Sequence, residues 1–154
     1  MPKKIAILRF SALGDVAMLM PVLRIAKKQY PDIEMHIFTK KPFDQIFHLA
    51  DIKATGIKFD RDYKSILGLR KLAKEIDQQD FDMILDMHSV LRTFILEIFC
   101  NKQFHRLDKG RKDKSAMIKA KNRPEKPLLS MHERYAAVFK KAGIKLNLHT
   151  QLHP

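Results

Sequence analysis

An arginine, a serine, a glycine and an aspartate stand close together near the start of this chain, in the run Arg9-Phe10-Ser11-Ala12-Leu13-Gly14-Asp15-Val16. They follow an apolar stretch, Ile5 to Leu8, and open an apolar helical pattern that reaches Pro21. An acid in the first turn of a helix has an ordinary use, because the N-terminal dipole favours a carboxylate as a cap or first-turn residue. It also has a chemical use. The same dipole keeps Asp15 ionised, as a general base must be, while Gly14 lets a substrate approach the backbone and Ser11 can cap the helix or hydrogen-bond a ligand. Arg9 is harder to explain as structure alone, since a cation at the end of a buried strand needs a partner.

A second constellation is Asp82, Asp86, His88 and Arg92 within Phe81-Asp82-Met83-Ile84-Leu85-Asp86-Met87-His88-Ser89-Val90-Leu91-Arg92-Thr93. Asp86 and His88 fall at the carboxyl end of a predicted strand, where an open α/β sheet forms its ligand crevice, and so should face the same space as Asp15. The structural alternative is that Asp86 caps the next helix and His88 is a satisfied polar residue. Two Asp-x-Asp sequences, Asp60-Arg61-Asp62 and Asp80-Phe81-Asp82, each precede a predicted element, where acids serve as caps and turns rather than metal ligands. The set around His88 also lacks metal-ligand spacing, so no metal is expected. No Walker loop, Gly-x-Gly-x-x-Gly, His-Glu-x-x-His, nucleophile elbow or Cys-x-x-Cys occurs.

The elements that must position these residues alternate in kind. Strands are predicted over Ile5–Phe10, Glu34–Thr39, Ala54–Phe59, Phe81–Met87 and Lys102–Leu107. Helices are predicted over Asp15–Gln29, Pro42–Leu49, Tyr63–Gln78, Leu91–Phe99, Ser115–Ala120 and Met131–Ala142, the last stopped by Gly143. Ile144–Leu148 reads as a further strand or a linker. The alternation implies right-handed βαβ crossovers and an α/β, Rossmann-like, mainly parallel sheet flanked by helices, with the first strand central and Asp15 near His88. Met18, Met20 and the helix Leu91–Phe99 read as core rather than as a lipid-binding face.

At 154 residues, 45 % of them hydrophobic, the chain can bury one substantial core. Its single cysteine, Cys100, excludes an internal disulfide and suits a reducing, cytoplasmic compartment. No signal-peptide pattern opens the sequence, and no apolar run approaches the roughly 18 residues that span a bilayer. The formal charge is +13 and the sequence pI about 9.9, which implies an anionic partner. Residues 102–126 hold ten Lys or Arg against three acids, a surplus of seven. That segment is either a surface for an anionic partner, which charge alone does not identify, or a solvated charged excursion. Nucleic acid fits the charge but lacks the exposed aromatics and motifs it needs. A non-enzymatic anion- or nucleic-acid-binding α/β module is the alternative to an enzyme.

Three stretches together resemble the bacterial heptosyltransferases of glycosyltransferase family nine, which transfer heptose from ADP-heptose to the lipopolysaccharide inner core. They are Ser11-Ala12-Leu13-Gly14-Asp15-Val16 through Pro21, Asp82…Asp86-x-His88-x-x-x-Arg92-Thr93, and His132-Glu133-Arg134-Tyr135 ahead of Gly143-Ile144. The resemblance implies the N-terminal half of a GT-B enzyme, with residues 1–148 as the acceptor-binding domain, 149–154 as the start of a linker, and a C-terminal donor-binding domain absent. It implies that Asp15 deprotonates the acceptor for inverting, metal-independent transfer, with Arg9, Ser11, Gly14, His88 and Arg92 binding substrate. It further implies no cofactor beyond ADP-heptose as donor substrate, a lipopolysaccharide inner-core acceptor, and a peripheral place at the cytoplasmic face of the inner membrane. Little activity is expected without the donor half. Ser89 departs from the pattern, where relatives often carry glycine.

Overall fold

A computed structural model describes residues 1–59, 63, 65–108 and 130–149. Five strands form one sheet: β1 (Lys4–Leu8), β2 (Glu34–Lys40), β3 (Lys53–Ile57), β4 (Met83–Asp86) and β5 (Phe104–Arg106). Their order is β3-β2-β1-β4-β5 and every neighbouring pair is parallel, so β1 is central as expected. The helices are α1 (Leu13–Gln29), α2 (Gln45–Leu49), α3 (Ile66–Asp77), α4 (Leu91–Phe99) and α5 (Met131–Lys141). The helix expected over 115–120 lies outside the described residues, as do Asp60, Asp62, most of the basic segment and residues 150–154.

A parallel sheet is covered on both faces, so its strands carry apolar side chains in both directions. In β1, Ile5 and Ile7 join a core with Val16, Leu19 and Leu23 of α1 and Tyr135 and Phe139 of α5. Ala6 and Leu8 point the other way, with Leu69, Leu72 and Ile76 of α3 and Leu96 of α4. This two-residue alternation fixes which helix pair covers which face. Met18 and Met20 pack against the first core, as read from the sequence.

The helix Leu91–Phe99 departs from its expectation. Leu96 is fully buried, but Leu91, Phe94 and Ile98, which recur at helical spacing, are 75, 46 and 77 % exposed. Only one stripe of α4 belongs to the core: α3 covers that side, while on the other the Arg106 guanidinium lies 3.9 Å over the Phe94 ring.

Helix ends follow local chemistry. α3 begins at Ile66 rather than Tyr63 because the Ser65 hydroxyl accepts from Gly68 N at 3.1 Å. In α5, Ser130 Oγ accepts from Glu133 N at 3.1 Å, and Gly143, at φ +83°, terminates the helix. Residues 144–148 form no strand. They run beside the end of α1, where Tyr30 Oη donates to Lys145 O at 2.6 Å and Gln29 Nε2 donates to Asn147 O at 3.1 Å.

Candidate active site

The chain passes from β1 to α1 and then to β2 on one side, and later returns to place β4 on the other side of β1. The carboxyl ends of β1 and β4 thus flank the point where strand order reverses, the usual ligand crevice of such sheets. The first constellation lies there, as do His88 and Arg92 of the second.

Asp15 is the third residue of α1, and the residue before the helix is Ala12, which contributes no side-chain cap. Ser11 therefore stands one position outside the cap and does not fill it. The Asp15 carboxylate turns to Arg9, whose Nη2 lies 2.8 Å from Oδ2. Arg9 is 6 % exposed and its Nη1 donates to Met87 O at 3.0 Å. One guanidinium thus ties the end of β1, the first turn of α1 and the end of β4 together. Both Nη atoms of Arg9, a residue expected to bind substrate, are engaged by the protein. About a third of the Asp15 side chain stays open to solvent at the crevice.

A third element reaches the same turn. Tyr135 of α5 is fully buried, and its hydroxyl donates to the backbone carbonyl of Asp15 at 2.8 Å. Burial, with the Asp15 charge adding to it and Arg9 opposing, pushes the phenol up to about 12, so it stays a donor throughout the neutral range. On the same helix Arg134, also buried, donates from Nη1 to Asp108 O at 3.0 Å. The third sequence stretch therefore acts by holding the first.

Across the crevice, Phe10 N donates to His88 Nδ1 at 3.4 Å, and the two rings meet edge to face with centroids 5.8 Å apart. An accepting Nδ1 places the proton of neutral His88 on Nε2. Phe59 lies 4.7 Å from Phe10, centroid to centroid, and the Arg92 guanidinium sits 4.5 Å over the Phe59 ring. Phe10 and Phe59 are site residues that sequence reading did not select. Their only signal was position, each following a strand by two residues.

Asp86 is fully buried and serves the turn instead of the crevice. Its Oδ1 accepts from His88 N and Ser89 N, both at 2.9 Å, and its Oδ2 pairs with Arg106 Nη1 at 2.7 Å. Ser89, in the left-handed region at φ 49°, occupies a conformation that favours glycine, and its hydroxyl donates to Leu107 O at 2.7 Å. Asp82 lies at the opposite edge of the sheet, where its Oδ2 accepts from Lys3 N and Lys4 N at 2.7 and 2.9 Å. Those two backbone bonds hold its carboxyl below the usual carboxylate range. The second sequence stretch thus divides by function: Asp82 and Asp86 shape the sheet and turn, while His88 and Arg92 face the crevice region.

Over 109 residues the chain is 31 % identical to lipopolysaccharide heptosyltransferase 1 of Campylobacter coli, a match covering 70 % of this chain and 31 % of that protein. Over 106 residues it is 31 % identical to the lipopolysaccharide core heptosyltransferase OpsX of Haemophilus influenzae, covering 67 % of this chain and 29 % of that one. The chain is heptosyltransferase-like. Its match spans about a third of the length of those curated relatives. Among solved structures, the fold agrees with E. coli heptosyltransferase WaaC bound to ADP-2-deoxy-2-fluoro heptose, at a TM-score of 0.70 and 19 % identity over 96 % of this chain and 50 % of that one. It agrees equally with a family 9 glycosyl transferase from Veillonella parvula, at a TM-score of 0.68 and 18 % identity over 93 % of this chain and 42 % of that one. No protein-family model matches. The heptosyltransferase-like chain thus has the fold seen in those structures.

Proposed function

We propose that this chain is the acceptor-binding half of an inverting, metal-independent heptosyltransferase, and that Asp15 is its general base. The observation that carries the reading is the Asp15 carboxylate, aimed away from the helix cap and held by Arg9 at the sheet's switch point. Arg9 engages Oδ2, so an acceptor hydroxyl donates to Oδ1. As that hydroxyl oxygen bonds to the anomeric carbon, its proton passes to Asp15 and the bond from the sugar to the ADP phosphate breaks, inverting the centre. Arg9 acts as a positioning residue, whereas Arg92 and His88 hold acceptor groups on the facing wall. Ser11 and Gly14 line the approach.

Adenine and pyrophosphate contacts come from a donor domain beyond this chain, consistent with its covering half of the WaaC chain. The acceptor is the lipopolysaccharide inner core and the donor ADP-heptose, the latter in keeping with the ADP-heptose analogue in WaaC. We place the protein peripherally at the cytoplasmic face of the inner membrane. Exposed Ile66, Leu67 and Leu91, at the ends of α3 and α4 that lie along the crevice edge, support this placement. No helix among the described residues is long and apolar enough to cross a membrane.

With a donor domain supplied in trans, Arg92→Ala should raise the KM for acceptor about tenfold and leave the KM for ADP-heptose unchanged. An unchanged acceptor KM would remove Arg92 from the acceptor site.

A further inference from the structure

We propose that the cleft between the carboxyl ends of β2 and β3 is a phosphomonoester subsite, formed by Lys40, Lys41 and Lys58, that holds a phosphate carried by the acceptor. The cleft encloses about 460 Å3, and its remaining walls include Gln45, Ile57 and Phe59. Among the described residues that line it, none is a carboxylate. That volume suits a phosphorylated sugar rather than a single ion.

Backbone bonds fix Lys40 and Lys41. Lys40 N donates to Phe10 O at 3.1 Å and Lys41 N to Ile57 O at 3.0 Å, which joins the β2 end to the ends of β1 and β3. Gly56 lets the Lys41 stem lie close against β3, since a Cβ there would come within 2.6 Å of Lys41 Cγ and 2.4 Å of Asp44 Oδ1. Asp44 is the nearby acid, but it is buried beneath the lysines and its Oδ2 lies 4.0 Å from His48 Nδ1. Three lysines line one concavity, and their combined positive charge favours a dianion there.

The chemistry of the cations selects the anion. Lysine acts as a point charge with rotatable donors and suits the tetrahedral oxygens of a phosphate, whereas a planar carboxylate is matched by the arginine fork, which none of the described lining residues supplies. Position selects the carrier. Phe59 walls the cleft, and the same ring packs on Phe10 and beneath Arg92 in the crevice, so a group in the cleft and a hydroxyl at Asp15 can belong to one molecule. The assignment of the phosphate to the acceptor rests on the function proposed above; the anion site itself does not.

Amide chemical shifts of the 15N-labelled chain, titrated with glucose 6-phosphate, inorganic phosphate or glucose, test it without any transfer reaction. Glucose 6-phosphate should shift the amides of Lys40, Lys41 and Lys58 saturably and bind several-fold more tightly than inorganic phosphate, and glucose should shift none of them. The triple variant Lys40→Met, Lys41→Met, Lys58→Met keeps the aliphatic stems and should weaken sugar phosphate binding at least tenfold, with an unchanged circular dichroism spectrum. Equal binding by the variant, or shifts spread over the whole basic surface, would overturn the site. Inorganic phosphate binding as tightly as the sugar phosphate would overturn its assignment to the acceptor. Asp15→Asn should leave the titration unchanged, so failure of the base assignment and failure of the subsite are separable.

Discussion

At the scale of single residues, the deciding contact is between Arg9 and Asp15. Sequence alone left Asp15 between a helix cap and a base, since both uses want a carboxylate in the first turn. In the structure this carboxylate bonds a buried guanidinium, whereas a cap bonds backbone N–H groups. Gly14 provides a neighbouring test. It sits in the first turn of α1 and a Cβ there would meet nothing within 4 Å, so packing does not require glycine. Gly14→Ala should therefore stabilise the fold by about 0.5–1 kcal/mol in urea unfolding, as alanine does within helices. If Gly14 gives the acceptor its approach to the backbone, the same variant should bind acceptor more weakly. A stabilised variant with unchanged acceptor affinity would show that the open space beside Gly14 is not used.

At the scale of elements, the turn from β4 to α4 depends on a buried charge. Asp86 accepts two backbone N–H groups and pairs with Arg106 at the end of β5, so it joins the turn that carries His88 to the edge strand. Asp86→Ala leaves Arg106 without this partner and two N–H groups unsatisfied. Breaking a buried pair from one side typically costs about 3–5 kcal/mol, and the loss here should fall near the lower figure because Arg106 also pairs with Glu97. Urea unfolding of the variant checks it, and a loss below about 1 kcal/mol would mean that the turn is held by other contacts. Much at this scale was legible beforehand. The continuous apolar run Ile5 to Leu8 announced a buried strand, and Gly143 announced the end of α5. The outer face of α4 was not legible, because Leu91, Phe94 and Ile98 have the spacing of a core stripe and only the placement of α3 shows which stripe is covered. Tyr135 was equally hidden in its role, since its bond to Asp15 O spans 120 positions and leaves no local pattern.

At the scale of the whole molecule, stability should form a plateau over neutral pH and fall on both sides. Burial, with the Asp77 charge adding to it, raises the Cys100 thiol from its ordinary 9.0 to about 12, and Tyr135 is likewise raised to about 12. The unfolded chain releases these protons first, so stability is complete below about pH 9 and declines toward pH 12, by at most about 1.4 kcal/mol per group per pH unit. On the acid side His36 is lowered chiefly by burial, with Lys53 and Lys4 adding to it, and His105 by burial and Lys141. The unfolded chain binds those protons first, so stability is complete above about pH 6.5 and declines below it. Urea midpoints measured from pH 5 to 11 should trace this plateau, and a flat profile from 9 to 11 would contradict the buried thiol and phenol. The same architecture brings Arg9 from β1, Asp15 from α1, His88 from the β4 turn and Tyr135 from α5 to one edge of the sheet. The central claim is that this convergence makes Asp15 a base, and turnover of Asp15→Asn with ADP-heptose, acceptor and a donor domain supplied in trans tests it most directly. The substitution keeps size and hydrogen-bonding capacity while removing the proton acceptor, so kcat should fall by about 100- to 10,000-fold with the circular dichroism spectrum unchanged. A variant that turns over at near wild-type rate would contradict the assignment and return Asp15 to the structural role of a partner for Arg9.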